Sequence, residues 1–246
     1  MVLMSGDRHV GEGVDTAGAR QRGLTLAGSL MLGGFVLNVL LTAGLHPSGE
    51  EDDHVAIFTK YARSSSWVAV HLGQFVGVLV TLSGLLVLYR VLRGIRRASV
   101  VAQLAAAAAV ATAAVWAVLQ GLDGVGLKQA VDSWAGASGT EKTIRFAGAE
   151  TVRWLEWGFQ SYFRVLLGLT LALFGTAIVV SGHLPGRLGW PALAAGVCSV
   201  IFGIDVGYSG LASGLQDVLG VATFVLVLVF AVGVLITGVR ERGGHS

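Results

Sequence analysis

Residues 67–89 read WVAVHLGQFVGVLVTLSGLLVLY. The stretch carries no Asp, Glu, Lys or Arg and is long enough to cross a hydrocarbon core, which takes roughly 20 apolar residues as a helix. Its two strongly polar residues, His71 and Gln74, lie near its start. At 100° per residue, Trp67, His71, Gln74, Val78 and Thr81 share one face, and Gly73, Gly77 and Gly84 share the opposite one. A glycine stripe lets two helix backbones approach closely. This segment therefore reads as a membrane helix with a polar face and a packing face.

Five more stretches meet the same length criterion: 24–45, 98–122, 158–181, 190–210 and 218–239. The fold class expected is an all-α integral membrane protein, a bundle of six transmembrane helices. Residues 1–23 read as a disordered cytoplasmic tail, 24–239 as the membrane domain and 240–246 as a second tail. Of the 246 residues, 54% are hydrophobic and only 13% charged, against about 25% charged in a soluble domain. Soluble globular and disordered classes are excluded on that ground. The 36 glycines have no three-residue period, so collagen is excluded. The single cysteine, Cys198, excludes an internal disulfide framework and a cysteine-based zinc or iron–sulfur site. A net charge of +2 with scattered basic residues leaves no nucleic-acid footprint.

Orientation follows from the short loops. With the N-terminus inside, ten of the 17 Lys and Arg fall on the inner side, including the cluster Arg90, Arg93, Arg96 and Arg97. Both ends are then cytoplasmic. The connection 46–66 holds an apolar run, Val55-Ala56-Ile57-Phe58, that reads as a short interfacial helix. The connection 124–157 reads as extensions of spans three and four, with a turn at 136–139. Trp67, Trp116, Trp134, Trp154 and Trp157 are expected at the outer interface. Abundant Ala, Val and Gly, with Arg in excess of Lys, resembles bacterial membrane proteins of high genomic GC content and suggests the cell inner (cytoplasmic) membrane.

Most polar residues within the spans gather at one depth, the outer half. A buried charge there costs about 2.5–3.5 kcal/mol, so such groups face the bundle interior. Thr112, Trp116, Gln120 and Asp123 form a stripe on span three, and Arg153, Glu156, Gln160 and Arg164 one on span four. The two stripes point to a shared pocket among spans two to five that opens outward. In this reading Asp205, Glu156 and His71 are the candidate catalytic acid–base groups, because carboxylates at that depth have raised pKa values. Arg164, Gln74, Asp123, Gln160, Tyr208 and Trp157 are the candidate substrate-binding residues.

Each has a plainer use. Arg164 is expected to meet Asp205 or Asp123, as a structural ion pair or as a clamp on a substrate carboxylate. His71 serves equally as an interhelical hydrogen-bonder. Asp123 and Asp217, at span ends, read as caps or solvated groups. The run from His46 to His54 offers two imidazoles and four carboxylates but lacks the spacing of a calcium loop, and reads as solvated. A haem between His46 or His54 and His71 is a weaker reading, because only His71 lies within a span. No metal or cofactor is assigned. No G-x-S-x-G, H-E-x-x-H, phosphate-loop or dinucleotide motif occurs.

Three functions remain: an enzyme acting on a lipophilic small molecule, a secondary transporter of a small solute, or a non-catalytic accessory subunit of an envelope complex. The partners expected are the lipid bilayer, a lipophilic small molecule and a second copy docked through the glycine stripes.

Overall fold

The computed structural model describes residues 7–47, 49 and 51–243; for 7–17 and 241–243 it describes the backbone alone. Among the described residues every regular element is a helix and there is no strand. Helix α1 spans Asp7–Leu45, α2 His54–Arg63, α3 Trp67–Leu92 and α4 Ser99–Gly121. A π-helical turn, Leu122–Leu127, joins α4 to α5, Lys128–Ala135. Then follow α6 (Gly139–Ser181), α7 (Gly189–Ser209) and α8 (Gly214–Gly243). Six helical stretches are long and apolar enough to cross a membrane. Helix α1 begins at Asp7, so part of the stretch read as a tail continues the first span; residues 1–6 and 244–246 of the two tails lie outside the described residues.

The six long helices close a ring: α1 packs on α3, α3 on α4, α4 on α6, α6 on α7, α7 on α8, and α8 returns to α1. Three core clusters fill it. The largest, at the end of the 93–98 turn, joins Leu24, Leu85, Leu88, Ala102, Phe174 and Phe230. Ala102, Ala105 and Ala109 are fully buried in it, because a methyl side chain lets α3 and α6 approach α4. A second cluster, at the other end, packs Ile57, Phe58 and Tyr61 of α2 against Trp67, Leu127, Val131 and Trp134. A small third cluster, with Trp116 on Phe163 at 4.5 Å, lies between α4 and α6.

The tryptophans expected at the outer interface differ in exposure. Trp67 is 1% exposed and Trp134 and Trp116 are nearly as buried, whereas Trp154 is open. Helix α2 and the α5–α6 extensions supply enough apolar surface at this end to enclose Trp67 and Trp134, and Trp116 packs on Phe163 between α4 and α6.

The glycine stripes pack helices within the chain. Gly77 of α3 faces Gly34 and Asn38 of α1, and Gly196 of α7 faces Gly168 and Ala172 of α6. These glycines let helices of one chain approach closely.

Helix α2 starts from a side-chain cap: the Ala56 N–H donates to Asp53 Oδ1 at 3.0 Å. Asp53→Ala is expected to destabilise the α2 layer by about 1 kcal/mol. Faster amide hydrogen exchange at residues 56–63, with the long helices unchanged, is the reading that checks it.

Candidate functional site

A cavity of about 570 Å³ opens in the ring between α1, α3, α4, α6 and α8. Helix α7 does not line it, which corrects the expectation of a void among spans two to five. Its apolar end is lined by Leu82, Leu85 and Leu171. Its polar end is framed by His46, Glu51, Tyr61, Asp123, Arg153 and Glu156.

Both expected stripes face this cavity. Trp116, Gln120 and Asp123 line it from α4 and the π turn, and Arg153, Glu156, Gln160 and Arg164 line it from α6. Thr112 lies deeper, bonded to Thr170 at 2.9 Å. From α3, Gln74 lines it while donating to Thr42 Oγ1 at 2.8 Å. Among the described residues Gln160 bonds to neither Glu156 nor Arg164, so no hydrogen-bond chain runs down α6.

Two polar groupings stand at the mouth. In the first, Arg153 donates from Nη1 to Glu156 Oε2 at 2.7 Å and from Nη2 to Glu51 Oε2. Tyr61 Oη donates to the same Glu51 oxygen at 3.2 Å. Burial pushes the Tyr61 phenol above its ordinary range, which keeps the proton it donates. Arg153 and Glu156 are both buried, so each carboxylate depends on the shared guanidinium.

The second grouping is His46, His71 and Asp123, whose ligand atoms lie within 4.8 Å of one another. His71 Nδ1 meets the Trp67 carbonyl at 2.8 Å, and its Nε2 meets Asp123 Oδ2 at 3.0 Å. Trp67 Nε1 donates to the Asp123 carbonyl at 3.0 Å. Burial, and next the neighbouring His71, push the His46 imidazole below 6.5. The π turn sets Asp123 here; such turns change which way a helix aims its side chains. Gly124 permits the contact, because a Cβ there would stand 2.6 Å from His71 Cβ.

Several sequence expectations are corrected. Arg164 pairs with neither Asp205 nor Asp123. Its guanidinium lies 4.3 Å over the Phe202 ring, and its Nε has no partner among the described residues. Asp205 instead accepts from Gln216 Nε2 at 2.7 Å, which ties α7 to the start of α8, and it does not line the cavity. Tyr208 is 91% exposed, and it and Trp157 border a separate shallow depression near Gly210. Asp123 is held by His71 and is no solvated cap. The loop read as solvated is divided among structural partners: Glu51 goes to Arg153, Asp53 caps α2, and His54 pairs with Glu150 at 2.9 Å. Ser48 and Glu50 lie outside the described residues.

The sequence reading missed Glu51 and Tyr61 as parts of the site, and it set Arg153 on the span-four stripe without a role there. The i,i+3 spacing of Arg153 and Glu156 signals their pairing. Nothing local signals Glu51, which lies 102 positions from Arg153.

Among the described residues, six polar atoms on the cavity wall are buried without a hydrogen-bond partner: Trp116 Nε1, Gln120 Oε1, Asp123 Oδ1, Arg153 Nε, Arg164 Nε and Thr223 Oγ1. Native interiors leave few such groups unmet. No protein-family model, curated protein or solved structure matches the chain.

Proposed function

We propose that this chain is a multi-pass protein of the cell inner membrane, both termini cytoplasmic, whose cavity opens on the outer side and takes a lipophilic molecule with an anionic head group. We place α2 at the outer interface. One observation carries the reading. Arg164 is a cation set among apolar helices, on the cavity wall, with no carboxylate partner among the described residues. A charge in that setting is stabilised by a counter-ion, and an anionic ligand supplies one. The cavity volume lies within the about 300–1,000 Å³ range of small-molecule sites. Its unmet donors and acceptors favour a ligand with polar atoms at one end.

The group at the mouth able to exchange a proton with that molecule is Glu156. On this reading the protein is an enzyme of carboxylate acid–base type, and Asp205 has no part in it. The apolar cluster to which the lining residues Leu82 and Leu85 belong favours this over a transporter, which needs a second path. The cavity and its unmet polar atoms weigh against a purely structural accessory subunit.

Binding of a fluorescent fatty carboxylate, cis-parinaric acid, to the detergent-solubilised protein tests the reading. The parent is expected to bind it saturably, and Arg164→Gln to bind it ten- to a hundredfold more weakly, which is about 1.4–2.8 kcal/mol. The corresponding alcohol is expected to be indifferent to the substitution. Equal binding of acid and alcohol, or no effect of Arg164→Gln, overturns it.

A further inference from the structure

We infer that His46, His71 and Asp123 form a binding site for a divalent first-row transition metal at the mouth of the cavity. Three elements distant in sequence converge there: the end of α1, the first turns of α3 and the π turn after α4. The ring nitrogens fix the chemistry. A backbone carbonyl only accepts, so the Nδ1 of His71, 2.8 Å from the Trp67 carbonyl, carries its proton. The same holds for His46 Nδ1, 2.8 Å from the Pro47 carbonyl. Each imidazole therefore has its Nε2 left to serve as a ligand. Metal-binding histidines are typically oriented in this way, with the other ring N–H held by a carbonyl.

His71 Nε2 faces Asp123 Oδ2 at 3.0 Å. Two lone pairs at that separation repel unless a cation lies between them. A proton would satisfy this pair alone. It leaves unexplained why a second imidazole, His46, stands beside the first, with ring centroids 5.2 Å apart and its own Nδ1 likewise occupied by a carbonyl. A metal ion accounts for all three. Bonds of about 2.0–2.2 Å at tetrahedral angles put two ligand atoms about 3.3–3.5 Å apart, close to the observed His71–Asp123 separation. His46, on the irregular turn after α1, has the freedom to close the remaining gap. Two histidines and one carboxylate suit Zn²⁺ or Fe²⁺ and leave coordination positions open. All three side chains border or adjoin the cavity, and the second oxygen of Asp123, Oδ1, is buried with no protein partner among the described residues.

The inference does not depend on what the cavity binds, because metal affinity is read on protein without organic ligand. The full-length chain, carried on a tag without histidines and stripped with EDTA, is titrated in detergent with Co²⁺ and then Zn²⁺. One equivalent of Co²⁺ is expected to bind with visible d–d absorption and to be displaced by Zn²⁺. His46→Ala and Asp123→Asn are each expected to weaken binding at least about 100-fold. His54→Ala, which removes an imidazole outside the cluster, is expected to leave it unchanged. The parent protein decides by itself: no saturable metal binding overturns the site, whatever the variants' folding. So does binding that persists within threefold in both His46→Ala and Asp123→Asn.

Discussion

Replacing Arg153 with methionine is expected to destabilise the protein by about 3–5 kcal/mol, because it breaks a buried charge network by removing the cation that its two carboxylates share. The guanidinium is 2% exposed and holds two carboxylates, Glu156 and Glu51, while lying 5.5 Å from the Trp157 ring centroid and 5.8 Å from that of Tyr61. Methionine fills much of the volume, so packing changes little. The loss comes from two carboxylates left facing one another without their counter-charge. Glu156 is buried and cannot turn to water; it must take up a proton or open the mouth. The triple variant Arg153→Met, Glu51→Gln, Glu156→Gln removes the uncompensated charge and is expected to recover most of the loss. Thermal unfolding of the three proteins in one detergent measures this. A single variant within about 1 kcal/mol of the parent, or a triple variant no better than the single, shows that the network does not hold α2 and its loop to α6.

Gly77→Val is the second large effect. A Cβ on Gly77 stands 2.9 Å from the Gly34 carbonyl oxygen and 3.1 Å from the Asn38 nitrogen, so a branched side chain has no room unless α1 and α3 separate. Overpacking of this kind costs about 1–3 kcal/mol and more where backbone blocks backbone. The functional consequence exceeds the stability one. His46 follows the end of α1 and His71 lies on α3, so spreading this crossing draws the two imidazoles apart. Loss of Co²⁺ absorption together with a lower melting temperature is expected. Gly33→Val is the control: nothing lies within 4 Å of a Cβ there, and both readings are expected to stay at parent values. Equal behaviour of the two variants contradicts the packing account.

The six long helices were legible in the sequence because desolvated backbone must bond within its own segment, so an apolar stretch of sufficient length declares itself without reference to its neighbours. The stripes on α3, α4 and α6 were legible for a related reason. Helical period alone places Gln74, Gln120, Glu156 and Arg164 on faces that cannot rest in lipid, and all four line the cavity. The same rule failed at Asp205. It demands a partner for a buried carboxylate but does not name it, and Gln216, eleven residues on, lay within reach across the α7–α8 turn.

What only the tertiary structure decided is the meeting of distant residues. Asp123 sits at the end of an apolar span and looks like a cap; one π-helical turn and the missing side chain of Gly124 bring it against His71. Glu51 reads as one acid in an acidic loop until α2 folds over and sets it on Arg153. Helix formation is a local balance of backbone hydrogen bonding and burial, and it is written in consecutive residues. The site is a sum of pairings across 52 and 102 positions of chain, and no consecutive stretch holds them.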